Sequence, residues 1–324
     1  MVVSQHEERD NDAEKRSRLL KQIDRLMGPT FLGWLVEPDV IEIMLNPDGQ
    51  LWVERLGAGM RAEGTMDAGT AEQMIKNIAS ILGEEVTKTN PVLECELPQT
   101  GERFEAILPP LVQRPSFALR RKATRVFTLQ NYVESGIMTP AQCDALKAAV
   151  VHRDNVLVVG GTGSGKTTLT NAILHEIAQT MPDDRIVVIE DTRELQVSSA
   201  NAVSMKTNDY VDIQRALKIT MRMRPERIVV GEVRGGEALG LIKAWNTGHP
   251  GGVATVHANG AREGLGRLED LVGEARIGAA HNAIAAAINL VVVIGKTSAG
   301  RRITEMLRVH SHDGRDYNTS TIAE

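Results

Sequence analysis

The stretch "VLVVGGTGSGKTTLTNAI" spaces its glycines as Gly160-x-x-x-x-Gly165, followed by Lys166 and Thr167. An apolar strand precedes it and a helical pattern follows, the context a phosphate-binding loop requires. Glycines let consecutive backbone N–H groups turn inward around phosphate oxygens. The helix that begins near Lys166 directs its N-terminal dipole at the same anion. Gly161, Thr162, Gly163, Ser164, Gly165, Lys166, Thr167 and Thr168 are the expected nucleotide contacts. Lys166 reaches the β- and γ-phosphates and the Thr167 hydroxyl ligates Mg²⁺. No Asn-Lys-x-Asp guanine signature is present, which favours ATP.

Hydrolysis also needs carboxylates to hold the metal and prepare a water. "RIVVGEVRGGEA" has the shape of the acid-tipped strand of such ATPases, but Gly231 stands where Asp is expected and Glu232 follows alone. A second strand, "RIVVIEDTREL", ends in Glu190 and Asp191. Ligands bind at the carboxyl ends of parallel strands, so both strands deliver acid to the phosphate-loop edge. Glu190 and Glu232 are therefore the expected metal and water acids, their division of labour open. Asp191-Thr192 can equally open a helix as a cap.

The elements that must position these groups divide the chain. Residues 1–18 are mixed in charge and expected to be a flexible segment, frayed or helical. Residues 19–125 read as an α+β domain: "LLKQIDRLMGPTFLGWLVEPDV" and "AEQMIKNIASILGEEV" as helices, and "VIEIMLN", "LWVERLG", "RFEAILPP" and "SFALRRKA" as strands. Residues 126–139 are a linker, in which "ESGIMT" is expected to border the adenine or to form a plain turn. From 140 to 324, "NVLVVGG", "DRIVVIED", "RIVVGE", "GGVATVHA" and "LVVVIG" are near-continuous apolar strands. Such strands are buried on both faces of a mostly parallel sheet covered by helices. The expected fold class is α/β: an α+β N-terminal domain followed by a P-loop domain with a mostly parallel β-sheet.

The 324 residues comfortably fill two domains, and 24% charged against 42% hydrophobic is an ordinary globular balance. Aromatic residues are only 3% and the net charge is −5, so tight intrinsic nucleic-acid binding is not expected. Cys95 and Cys143 are isolated, as in a reducing compartment, and are too few for a four-cysteine zinc module. The N-terminus has no apolar signal core, and "AIAAAINLVVVIG" is too short to span a bilayer and reads as helix into strand. The expectation is a soluble cytoplasmic protein, with peripheral contact to a membrane-bound machine left open. A charge developing on the γ-phosphate also needs a cation. Arg222, Arg224 and Arg227 cluster in "MRMRPER" and are candidates to act across a subunit interface.

"GGTGSGKTT", "VVIEDTREL", "MRPERIVVGEVRGGEA" and "GHPGGVATVHANGA" stand in the order found in the secretion ATPases, the hexameric motors of type IV secretion with relatives in type II secretion and type IV pili. In the N-terminal half, "FLGWLVEPDVIEIMLNPDGQLWVERLG", "LPQTGERFEAILPP" and "PSFALRRKA" resemble the conjugal transfer branch. The resemblance covers roughly residues 20 to 310. It implies a homohexamer with nucleotide between the two domains, powering pilus assembly or DNA and protein transfer. Glu190 matches the family's Asp-box acid, Glu232 the Walker B acid, and His257 the His-box histidine, with Gly248 and His249 opening that box. Arg103 and Arg120 match N-terminal-domain positions that reach the phosphates, Arg120 ending a strand before the linker. The alternatives are a pilus retraction or type II secretion motor, and an ATP-switched nucleic-acid-binding protein.

Overall fold

The computed structural model describes residues 2–122, 126–275, 278 and 280–322. The chain divides into two compact units, Met1–Thr124 and Arg125–Glu324. Residues 123–125, at the expected domain boundary, lie outside the described residues.

The first unit holds α1 (Val2–Val36), β1 (Val40–Leu45), β2 (Gln50–Arg55), β3 (Gly59–Thr65), α2 (Ala68–Leu82), β4 (Val92–Glu96), β5 (Arg103–Ile107) and β6 (Ser116–Arg120). α1 includes the segment read as frayed or helical. It bends at Gly28, whose φ of 72° leaves the helical region just before Pro29. α2 is delimited by chemistry legible in the sequence: Asp67 accepts from the Thr70 amide at its start, and Gly83 turns left-handed at its end. The strands form one antiparallel sheet in the order β3-β2-β1-β6-β5-β4. Phe31, Trp34, Phe104 and Phe117 meet edge-on or tilted in its core.

The second unit holds α3 (Leu129–Glu134), α4 (Pro140–His152), β7 (Val156–Val159), α5 (Lys166–Thr180), β8 (Ile186–Glu190), β9 (Ala202–Lys206), α6 (Ile213–Thr220), β10 (Arg227–Val230), α7 (Glu237–Asn246), β11 (Val253–Val256), α8 (Ala261–Ala275), α9 (His281–Ala287), β12 (Leu290–Thr297), β13 (Gly300–His312) and β14 (Tyr317–Thr321). Its sheet runs β14-β13-β12-β7-β11-β10-β8-β9. The six strands from β12 to β9 are parallel, and β13 and β14 add antiparallel at one edge. Every residue of β7, β8, β10 and β11 is buried, as strands covered on both faces must be. Two apolar clusters cover the faces, one including α6 to α9 residues and the other α3 to α5 residues. The chain thus combines an α+β N-terminal unit with a RecA-like unit on a mostly parallel sheet. "AIAAAINLVVVIG" is helix into strand, α9 into β12. Among the described residues no helix is long and apolar enough to cross a membrane.

Two sequence expectations meet a different local structure, while "ESGIMT" takes the plain turn, one of its two expected roles. Asp191-Thr192 opens no helix: residues 191–200 form an irregular connection from β8 to β9. The Asp191 carboxylate instead accepts from the Thr207 hydroxyl at 2.6 Å. The expected linker is partly regular, with Thr128 and Thr139 closing capping boxes that start α3 and α4. Within it the "ESGIMT" segment is tied to β13, where the Ile303 amide donates to the Ile137 carbonyl at 2.8 Å, and Met138 is buried.

Candidate active site

Sheet register brings the site together. Val159 of β7 pairs with Val256 of β11, so the phosphate loop and His257 leave the sheet side by side. Ile189 of β8 pairs with Val230 of β10, which sets Glu190 beside Gly231 and leaves Glu232 one residue further. All four strand ends face the same edge, because the strands are parallel.

The loop itself is tightly determined. Gly163 and Gly165 take φ values of 65° and 109°, which favour glycine. At Gly160 a Cβ would come within 2.4 Å of the Ile294 carbonyl oxygen, so only glycine fits there. Lys166 opens α5 and is nearly buried. Its Nζ donates to the Gly160 and Gly161 carbonyls at 2.8 and 3.0 Å and lies 3.2 Å from His257 Nε2 and 3.4 Å from Nδ1. The Ser164 hydroxyl is buried without a hydrogen-bond partner, a polar group that a phosphate oxygen satisfies.

His257 Nε2 lies 2.8 Å from Glu232 Oε1, and Arg234 Nη2 donates to Glu232 Oε2 at 2.5 Å. Arg234 Nη1 also stands 3.6 Å from Asp191 Oδ2. Lys166, His257, Glu232 and Arg234 therefore form one chain of contacts, from cation through imidazole to carboxylate to cation. The tautomer that serves it carries the proton on Nε2, donated to Glu232, and leaves Nδ1 to accept from Lys166. Burial first, and the Lys166 ammonium second, hold the His257 pKa below its ordinary value, against the pull of Glu232.

Glu190 plays a different part. It is buried, and its Oε1 accepts from the Glu194 and Leu195 amides at 3.0 and 2.8 Å. Burial raises its pKa, partly offset by those two amides. The loop it shapes presents Glu194, whose Oε2 accepts from the Thr167 hydroxyl at 3.1 Å. Asn171 of α5 fastens the same loop, donating to the Glu194 carbonyl and accepting from the Gln196 amide. Thr167 and Glu194 are hard oxygen donors side by side, the donor set Mg²⁺ takes.

Sequence reasoning missed Glu194 and Arg234. Each follows an identified acid closely, Glu190 by four residues and Glu232 by two, but only the folded loops show which way they turn. It also missed the β12–β13 hairpin, which brings Arg301 Nη2 to 3.4 Å from the Gly163 carbonyl. The "MRMRPER" cluster fares otherwise. Arg227 is fully buried, donating to Asp184 at 2.6 Å and to the Gly251 and Val150 carbonyls, so it cannot reach another subunit. Arg222 and Arg224 are exposed just before β10, at its amino end and away from the phosphate edge. His249 contacts the Ala244 carbonyl at 3.3 Å, and Gly248 turns with a φ of 97°. Thr162 and Thr168 lie in the loop and first turn of α5. Arg103 and Arg120 face each other as paired residues of β5 and β6 in the first unit.

The depressed His257 pKa has a measurable consequence. In nucleotide-free protein its imidazole should titrate below the ordinary histidine value of about 6.5. The Lys166→Met variant should move that midpoint upward, because Lys166 is the second largest of the three depressing causes, after burial and before Arg234. A lowered folded value means the unfolded chain binds more protons, so stability rises with pH across that window and is lost as pH falls from about 6.5. Proton NMR of the ring checks this; a midpoint at or above 6.5 contradicts the arrangement.

The family described as Type II/IV secretion system protein matches residues 28–313. The chain is 49% identical over 292 residues to the probable conjugal transfer protein TrbB of Sinorhizobium fredii, covering 90% of each. It is 47% identical over 307 residues to the conjugal transfer protein TrbB of Rhizobium radiobacter, covering 95% of each. The X-ray structure of the Legionella pneumophila ATPase DotB superposes with a TM-score of 0.60 at 21% identity, over 86% of this chain and 80% of that one, a likeness of fold. With a match that takes in nearly every element around the phosphate loop, the chain belongs to the type II/IV secretion system protein family.

Proposed function

We propose that this chain hydrolyses ATP to ADP and phosphate and works as a homohexameric motor of a type IV secretion or conjugal transfer apparatus, at the cytoplasmic face of the inner membrane. The observation that carries the reading is the Lys166–His257–Glu232 chain at the mouth of the phosphate loop. The names of the two TrbB relatives support the conjugal transfer side of it.

Lys166 is held by two carbonyls and released to phosphate oxygens when these offer the stronger, charged acceptor. Glu232 accepts the proton of the attacking water, oriented by His257 on Oε1 and by Arg234 on Oε2. Thr167 and Glu194 would hold Mg²⁺, directly or through its waters, with Glu190 setting the loop that carries Glu194. The metal would neutralise charge building on the phosphates. Arg234 and Arg301 add fixed positive charge near the loop.

Phosphate release and light scattering on the purified chain test the reading together. The expected result is multiple turnovers with Mg²⁺ and ATP, lost in Lys166→Ala, and a species of six times the 35.3 kDa chain mass. Equal phosphate release by wild type and Lys166→Ala, or a monomer under every nucleotide condition, overturns it.

A further inference from the structure

A second group of chemistry-bearing side chains lies in the ATPase unit outside that site. Glu269 of α8, His281 at the start of α9 and His312 at the end of β13 place ligand atoms within 4.8 Å of one another. His281 Nδ1 stands 2.7 Å from Glu269 Oε1. That nitrogen is sealed from solvent, so what it meets comes from within the cluster. A buried imidazole nitrogen this close to a carboxylate oxygen is bridged by a shared proton, and a divalent cation can take that proton's place.

We propose that Glu269, His281 and His312 form a binding site for one divalent transition-metal ion of the zinc class, which ties the β13–β14 hairpin to α8 and α9. Two imidazoles and one carboxylate are a nitrogen-rich donor set that suits Zn²⁺, whereas Mg²⁺ and Ca²⁺ take oxygen shells. Bond lengths of about 2.0–2.2 Å put tetrahedral ligands about 3.3 Å apart, so the present spacing needs only side-chain rotation. The two rings are now stacked, 4.5 Å apart with planes 10° from parallel. Metal capture turns them so that their in-plane lone pairs converge. All three side chains are half-buried, which leaves room for that turn and for a water as fourth ligand.

The surroundings fit a ligand role. The Tyr317 hydroxyl donates to Glu269 Oε1 at 2.6 Å, the outer support that ligating carboxylates use. The Gly314 amide donates to His312 Nδ1 at 3.0 Å. Coordination through either ring nitrogen exchanges that bond: Nδ1 either takes the metal or carries the ring proton. An ion held only by the folded chain stabilises it, so bound metal should raise the melting temperature.

Zinc sulfate titrated into the untagged, metal-stripped full chain against a chromophoric chelator tests the site. We expect one Zn²⁺ per chain at micromolar affinity or tighter. His281→Ala and His312→Ala should each weaken it at least tenfold, and His257→Ala should leave it unchanged. The Gly314 amide resonance should shift on zinc addition in the wild type, a readout that needs no variant to fold. No stoichiometric uptake, equal uptake by the His281 and His312 variants, or loss of uptake only in His257→Ala overturns the proposal, the last by placing zinc at the phosphate loop.

Discussion

Restoring the conventional acid by Gly231→Asp should damage the protein rather than improve it. A Cβ at position 231 would stand 3.0 Å from Glu190 Cγ and 3.5 Å from its Oε1. The register explains the conflict. Gly231 lies beside Glu190 on a parallel neighbour, and side chains in register share a face. Overpacking of this kind costs about 1–3 kcal/mol, which lowers the melting temperature by roughly 2–12 °C in a unit of this size. An aspartate adds like-charge repulsion against a buried carboxylate. It also pushes Glu190 off the Glu194 and Leu195 amides, which unfastens the loop that meets Thr167. Turnover should drop at least tenfold with the stability. Scanning calorimetry and phosphate release on Gly231→Asp check both; unchanged melting with raised turnover contradicts this steric explanation of Gly231.

Glu232→Gln should cost far more turnover than Glu190→Gln, although both acids sit at the same sheet edge. A water-activating carboxylate contributes about 10²–10⁴-fold, and an amide at 232 cannot take the proton. The single glutamine oxygen still accepts from Arg234 but gives up His257, while Lys166 and the loop amides are untouched, so nucleotide should still bind. At 190 the two backbone bonds converge on a single oxygen, Oε1, which an amide oxygen can supply. Burial already disfavours the charge there, so neutralising it removes a penalty as well. Glu190→Gln should therefore stay within about tenfold of wild type. Glu190→Ala should not, because two orphaned amides cost about 1–3 kcal/mol each.

What the sequence revealed and what it hid follow one physical division. The phosphate loop is local: its glycines, Lys166 and Thr167 are consecutive, and their meaning is carried by strand before and helix after. The acid-bearing strand ends were equally legible, because fully apolar runs such as "RIVVIE" mark parallel strands whose carboxyl ends meet. The roles of Glu190 and Glu232 were not. They depend on cross-strand register, which faces Glu190 with Gly231 and gives Glu232 to His257. Glu194 was hidden for the same reason, since its partner Thr167 lies 27 residues away. Arg227 sits among fellow arginines of the solvated turn before β10, yet it is buried against Asp184. Replacing Asp184 alone would strand that charge, at a cost of about 3–5 kcal/mol. β3, "GMRAEGT", escaped because it is an exposed edge strand with no apolar alternation to read.

The arrangement of two acids with separate tasks is tested most directly by the ratio of phosphate-release rates of Glu190→Gln and Glu232→Gln. It should be measured at saturating Mg²⁺ and ATP, on preparations of matched melting temperature. A ratio of ten or more in favour of Glu190→Gln is expected, with labelled ATP still bound by Glu232→Gln. Near wild-type turnover in Glu232→Gln together with an inactive, fully folded Glu190→Gln would exchange the two roles and contradict the site described above.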